Sequence, residues 1–286
     1  MRVILIALLA TLPVWASSAE LARATKLYHA TDYNGTLQLL QSLPESNRDA
    51  ETFLLIGKAQ FMKGDFKKAS ESFEHAAQLQ PANSDNYLWL GRAYGRRAES
   101  SSFISAPGYA AKARQYFEKA VQLNPRNGEA VNDLFEYYKE APGFLGGGLD
   151  KAQSLIADIK DIDPAEYHFA LAQIAEKRKE YGFAEQQLLK ALDLAPRQVG
   201  RIIDMARFLA KRGRYVESEA MFKKAEAVAP GEPKLLFARA SSYIQTHRNL
   251  EEARELLKRY LDAPLTPDAP SRDEARKLLS KAAGSD

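Results

Sequence analysis

The spacing of its prolines limits what this chain can fold into more than any other feature. Seven of the thirteen, Pro44, Pro81, Pro125, Pro164, Pro196, Pro230 and Pro264, each close a helix-compatible segment, and they lie 37, 44, 39, 32, 34 and 34 residues apart. Proline has no amide hydrogen to donate and clashes with the preceding helical turn, so it marks helix ends rather than helix interiors. A stop that recurs every ~34 residues divides the chain into units too short to bury a core alone, and such units become stable by stacking on one another. The two ordinary domains that 286 residues would otherwise suggest therefore give way to a linear array.

With Pro81 at position 32 of a unit, the earlier positions hold Phe53, Ile56, Gly57, Ala69, Phe73 and Ala76. The next unit holds Tyr87, Leu90, Gly91 and Tyr94, then Ala113, Phe117, Ala120 and Pro125, with ten extra residues between its two helices. These residues resemble the tetratricopeptide pattern W-x2-L-G-x2-Y, A-x3-F, P. Later units keep the skeleton: Ala152 and Pro164; Leu171, Ala184, Ala191 and Pro196; Phe222, Ala225 and Pro230; Tyr243, Ala253, Leu257 and Pro264. A partial opening unit, with Leu27, Tyr33, Leu40, Leu43 and Pro44, reads as an N-terminal cap.

The spacing works as a packing code. Gly and Ala at a crossing let two antiparallel helices approach to about 8–10 Å, while large residues fill the space between hairpins. An aromatic residue or Leu marks the expected start of each second helix, at Tyr33, Phe66, Leu149, Tyr181, Tyr215 and Leu250, with Ala110 in that place only in the lengthened unit. The resemblance covers residues 20–265 and implies an all-α, right-handed α-solenoid of about seven helical hairpins, whose concave groove holds a partner's peptide or helix. Residues 266–286 read as a Pro-rich connection through Pro267 and Pro270, then a capping helix to about Ala283, opened by the capping box Ser271-Arg272-Asp273-Glu274.

Residues 1–19 read as a secretory signal. Arg2 supplies a positive start, Val3–Leu12 an apolar run, and small residues permit a cut after Ala16 or Ala19. The apolar run is shorter than the roughly 20 residues a membrane-crossing helix needs, which favours cleavage over anchoring. The chain has no Cys, hence no disulfide, no thiolate metal site, no thiol nucleophile and no lipid-anchoring Cys after the signal. A periplasmic or secreted protein without a stable membrane span is the expectation. The formal charge of +3, from 40 basic and 37 acidic residues, is too small for the electrostatic footprint of a nucleic-acid binder. Asn34-Gly35-Thr36, a formal glycosylation triplet, reads as a turn.

A search for chemistry finds no constellation, so no catalytic residue, metal site or cofactor is expected. His29, His75, His168 and His247 are far apart, and none has a second His at helical ligand spacing. Asp158, Asp161 and Asp163 lack the alternating oxygen ligands and central Gly of a calcium loop. Gly143-Phe144-Leu145-Gly146-Gly147-Gly148 is followed by Leu149-Asp150 where a phosphate-binding loop needs Lys and Ser or Thr, and it reads as a flexible loop between helices.

Two surfaces remain for binding. In the family, first-helix positions 2, 5, 9, 12 and 13 line the concave face. Here position 5 holds Leu54, Leu88, Asn132, Phe169, Ile203 and Phe237, and position 9 holds Lys58, Arg92, Glu136, Gln173, Arg207 and Ser241. An apolar stripe beside a mixed, mildly basic one suits an amphipathic or acidic-ended peptide, or the apolar groups pack against neighbouring helices instead. The chaperone-tail clamp of the family, with its paired Lys, Asn and Arg, is not reproduced. The second surface is a loop edge made by insertions at 95–107 and 142–148, decorated by Arg96, Arg97, Phe103 and Phe144, either functional or a harmless insertion. The expected role is a non-enzymatic scaffold or adaptor that binds a protein or peptide of the cell envelope; the alternative is a small-ligand-binding accessory of a transporter or envelope enzyme. The oligomeric state stays open.

Overall fold

The computed structural model describes residues 14–267 and 269–284. Residues 1–13, which hold the apolar core of the expected signal, lie outside the described residues. Among the described residues sixteen helices follow one another: α1 Val14–His29, α2 Tyr33–Gln41, α3 Ala50–Met62, α4 Phe66–Leu79, α5 Ser84–Glu99, α6 Ala106–Leu123, α7 Gly128–Glu140, α8 Leu149–Ser154, α9 Ile156–Ile162, α10 Pro164–Lys177, α11 Tyr181–Leu194, α12 Val199–Lys211, α13 Tyr215–Val228, α14 Pro233–Gln245, α15 Leu250–Asp262 and α16 Arg272–Ala283. No strand occurs among them. Each hairpin packs on the next, giving an α-solenoid of seven hairpins closed by α16.

The crossings follow the packing code. A Cβ added at Gly57 on α3 would lie 2.4 Å from the ring of Phe73 on α4, and one at Gly91 on α5 would lie 2.5 Å from Phe117 on α6. In the sixth hairpin the same two positions hold Ala206 and Phe222, both fully buried. The fourth hairpin departs from this. Its crossing position holds Phe135, whose ring takes up the space left by Gly or Ala elsewhere, and its second helix is split at Leu155 into α8 and α9.

The ends of the helices follow from local chemistry. Six second helices begin at the expected residues, Tyr33, Phe66, Leu149, Tyr181, Tyr215 and Leu250. The turns before α3, α7 and α10 end in Asp49, Asn127 and Asp163, whose side chains accept backbone N–H bonds from the first helical turn. Within the hairpins the chain reverses through a left-handed residue at one repeat position, Gly64, Lys179, Gly213 and His247. The capping box forms as expected: Ser271 and Glu274 exchange hydrogen bonds at the start of α16, whose Ala275 and Ala282 are buried against the seventh hairpin.

Three expectations about local structure are corrected. Asn34-Gly35-Thr36 is not a turn but the first turn of α2, because Asp32 caps it by accepting from the Gly35 amide at 2.8 Å. The insertion at 95–107 is not a loop throughout. Its residues lengthen both helices, so that α5 and α6 have 16 and 18 residues where α3 and α4 have 13 and 14, and only residues 100–105 connect them. The glycine run 143–148 is a closed turn rather than a flexible loop. Gly148 donates to Tyr138 O at 2.7 Å, Tyr137 Oη donates to Leu145 O at 2.9 Å, and a Cβ at Gly147 would lie 1.9 Å from Ala141 O.

The array curls enough to bring its ends together. The connection from Leu265 to Asp273 faces Thr31, Tyr33 and Met62 on the turns of the first two hairpins across a cavity of about 130 Å³. Arg96 on α5 lies 3.8 Å from Glu274 on α16. The last helix thus covers the open end of the stack and also meets the turn edge of its beginning.

Candidate peptide-binding groove

The first helix of each hairpin lines the inner face, and here the structure sorts the expected groove residues. Leu88 is 1% exposed and Ile203 6%, so both are packed in the core and out of a partner's reach. Leu54 and Phe237 are half-buried against neighbouring clusters, the latter with its ring 5.2 Å from Tyr260. Lys58 is half-buried, with its ammonium 5.0 Å from the Trp89 ring centroid; burial lowers its pKa against the pull of Asp85 and Glu129. Leu54 and Lys58 share a recess of about 210 Å³ with α1 residues.

Arg92 is structural. Burial opposes its charge, but Asp133 at 2.6 Å and Glu129 at 2.9 Å outweigh that and hold its pKa above the ordinary value. It ties α5 to α7 and stacks 4.8 Å from Trp89. Asn132 is half-buried on α7.

Phe169 and Arg207, from different repeats, converge. They line a recess of about 550 Å³ between α7, α10, α11 and α12. Phe169, Leu188 and Phe208 supply apolar surface, and Glu136, Lys139, Glu140, Glu176, Lys177, Asp204, Lys211 and Arg212 supply charge. Several of these charges neutralise one another. Lys139 pairs with Glu136 at 2.8 Å and Lys177 with Glu140 at 2.6 Å. Arg212 stacks 3.9 Å from the Tyr181 ring centroid.

Arg207 differs from its neighbours. Among the described residues its guanidinium makes no hydrogen bond, and burial lowers its pKa while Asp204 pulls the other way. Asp204 is itself half-buried, and that desolvation pushes its carboxyl up to about 6, against Arg201 and Arg207. Its carboxylate accepts from Arg201 Nη1 at 3.1 Å, and Arg201 also pairs with Glu166 and lies over the Phe169 ring at 4.6 Å. The recess thus offers a partly desolvated cation, with Lys211 one turn away on the same helix, above an aromatic floor. Such a site suits a carboxylate next to an apolar group.

Reading positions 5 and 9 alone missed much of this lining. Lys139, Glu140, Glu176, Lys177 and Lys211 occupy positions 12 and 13 of the same helices, so the signal was present in the repeat register. Arg212 comes from the turn after α12, to which no periodicity points, and Tyr181 opens α11, where the recurring position marked only a helix start.

On the loop edge, Phe103 is 92% and Phe144 83% exposed. Arg96 and Arg97 are not on a loop but in the last turns of α5. Arg97 donates to Ser70 Oγ at 2.9 Å and Tyr109 Oη at 3.1 Å and stacks on Tyr109 and Tyr94, which makes it a structural tie. Arg96 pairs with Glu99 at 2.9 Å. Among the described residues no group of three or more His, Asp or Glu could hold a metal ion, and no helix is long and apolar enough to cross a membrane. His168 bonds Gln187 at 2.7 Å, His75 stacks on Phe53, and Asp163 is a helix cap.

Stacked hairpins with small residues at every crossing but the fourth and a lined inner face define the class: an α-solenoid with a binding groove. Tetratricopeptide-repeat family models match residues 50–83, 108–127 and 203–270, and the chain carries tetratricopeptide repeats. The fold is similar to that of a tetratricopeptide-repeat protein of Parabacteroides merdae, with a TM-score of 0.62 and 14% identity over 94% of this chain and 99% of that one. It is also similar to a thermophilic protein of the same kind from Thermus thermophilus, with a TM-score of 0.53 and 22% identity over 71% of this chain and 99% of that one. No curated protein matches the sequence.

Proposed function

We propose that this chain is an exported scaffold of the cell envelope that holds a partner's peptide or helix in the recess between α7, α10 and α12, recognising an acidic group next to an apolar side chain. Tetratricopeptide repeats are a protein-interaction scaffold, and that much the family models carry. The narrower reading rests on Arg207, a partly buried guanidinium without a hydrogen-bonding partner among the described residues, set beside Phe169 in a recess of about 550 Å³. A partner carboxylate would supply the missing acceptor, and charge-assisted hydrogen bonds of this kind are about twice as strong as neutral ones. Export rests on the residues 1–19 signal reading, and N-terminal sequencing of the protein from the periplasm or medium should find a start at Ser17 or Glu20.

Affinity capture with the full chain tests the groove. Arg207→Glu and Phe169→Glu should each weaken capture of the partner at least tenfold while circular dichroism stays unchanged, the loss of a buried hot-spot contact typically costing about 2 kcal/mol or more. Full binding by both folded variants would remove the recess from consideration.

A further inference from the structure

The third hairpin is about one helical turn longer than its neighbours. Its connecting segment carries Phe103 and Ile104 side by side, 92% and 90% exposed. Residues 100–111 contain no charged side chain, in a chain where 27% of residues are charged. At the base of the same extension lies an unfilled recess of about 480 Å³. Gly95 and Ala98 of α5, Ala110, Ala113 and Phe117 of α6, and Tyr137 of α7 form its apolar wall. The tip of the same chain does not fill it: the recess reaches up to Ala98, Glu99 and Ala110 beside the tip, yet Phe103 and Ile104 remain almost wholly exposed.

We propose that the occupant is a second copy of this chain, with the Phe103–Ile104 tip of each copy seated in the recess of the other. Tip and recess share one edge of the solenoid, so a two-fold axis at that edge exchanges them, giving the reciprocal contact of an isologous dimer. Size agrees: the volume falls within the roughly 300–1,000 Å³ of recesses that enclose small molecules, with room for one Phe and one Ile side chain. Charge agrees as well. The incoming segment is neutral, and the ions on the rim are already satisfied, Arg92 by Asp133 and Glu129, Arg96 by Glu99, Glu136 by Lys139 and Glu140 by Lys177, so docking buries no unpaired charge. The contact is distinguishable from the groove proposal: Glu136 and Glu140 of α7 border both recesses, but Phe169, Arg207 and Lys211 line only the other one, so variants at those three test the groove alone.

Two such plugs bury less than the ~1,200 Å² of a standard stable interface, so the dimer is weak and half-formed in the range of about ten to a few hundred micromolar. Sedimentation equilibrium of the full chain across that range tests it. Phe103→Ser with Ile104→Ser removes side chains that touch nothing in the fold, and Gly95→Leu fills the recess at a position where a Cβ meets nothing within 4 Å. Each should raise the dissociation constant at least tenfold. An equimolar mixture of the two variants should associate more tightly than either alone, because the intact tip of one fits the intact recess of the other. A parent chain that stays monomeric throughout, or a dimer indifferent to both variants, overturns the proposal. So does a monomeric parent that binds phosphatidylglycerol vesicles through Phe103, since the tip would then belong to lipid.

Discussion

Two glycines one turn apart on α5 allow the packing code to be measured free of helix propensity. Gly91 and Gly95 both lie in the interior of the same helix, so replacing either with Ala brings the same intrinsic gain of about 0.8–1 kcal/mol. Their surroundings differ. At Gly91 a Cβ would lie 2.5 Å from two ring carbons of Phe117, which is 7% exposed; at Gly95 it meets nothing within 4 Å. Ordinary carbon contacts lie near 3.5–4.0 Å, so the ring must retreat by about 1 Å. Forcing a well-packed core in this way costs about 1–3 kcal/mol. Gly95→Ala should therefore stabilise the chain by about 0.5–1 kcal/mol. Gly91→Ala should leave it unchanged or destabilise it by up to about 2 kcal/mol. Subtracting one result from the other cancels the propensity and leaves the crossing cost of about 1–3 kcal/mol. Guanidinium titrations followed by circular dichroism give both values. If the two alanines stabilise equally, close approach at the crossing is not what requires glycine, and the account of the hairpins fails.

Lys179 holds a left-handed conformation with φ of 62° at the position where Gly64 and Gly213 stand in other hairpins, so Lys179→Gly should stabilise by about 1 kcal/mol in the same titration. Asp204, with its carboxyl pushed up to about 6 by burial, binds its proton more tightly folded than unfolded. Its contribution to stability is thus present below the ordinary carboxylate pKa of about 3.9 and is lost as the pH rises through about 6. Relative to Asp204→Asn, the parent chain should lose stability on the order of 3 kcal/mol between about pH 4 and 7, read from denaturant midpoints; a flat difference would contradict the burial of this group.

Much of the architecture was legible because it is written in local chemistry. Proline spacing marks the repeat, Tyr33, Phe66, Leu149, Tyr181, Tyr215 and Leu250 mark where second helices begin, and Ser271 with Glu274 marks the last helix. Each of these signals acts over a few residues, within reach of a pattern. The failures were local too, but opposite in kind. Asn34-Gly35 looks like a turn until Asp32 caps it, and the run 143–148 looks loose until Tyr137 and Tyr138 close it by hydrogen bonds.

What the residues determined unaided is a stack of hairpins with small side chains at all crossings but the fourth, because crossing distance depends only on which groups face each other within one unit. The binding surface was decided elsewhere. Whether position 5 is a groove residue or core, as Phe169 and Leu88 show, depends on how far each hairpin turns relative to the next. So does the meeting of Arg207, Lys177 and Glu140 from three repeats, and of Arg96 with Glu274 from opposite ends of the chain. Those rotations are small sums over many side-chain contacts, and they acquire definite values only once every neighbour has been packed.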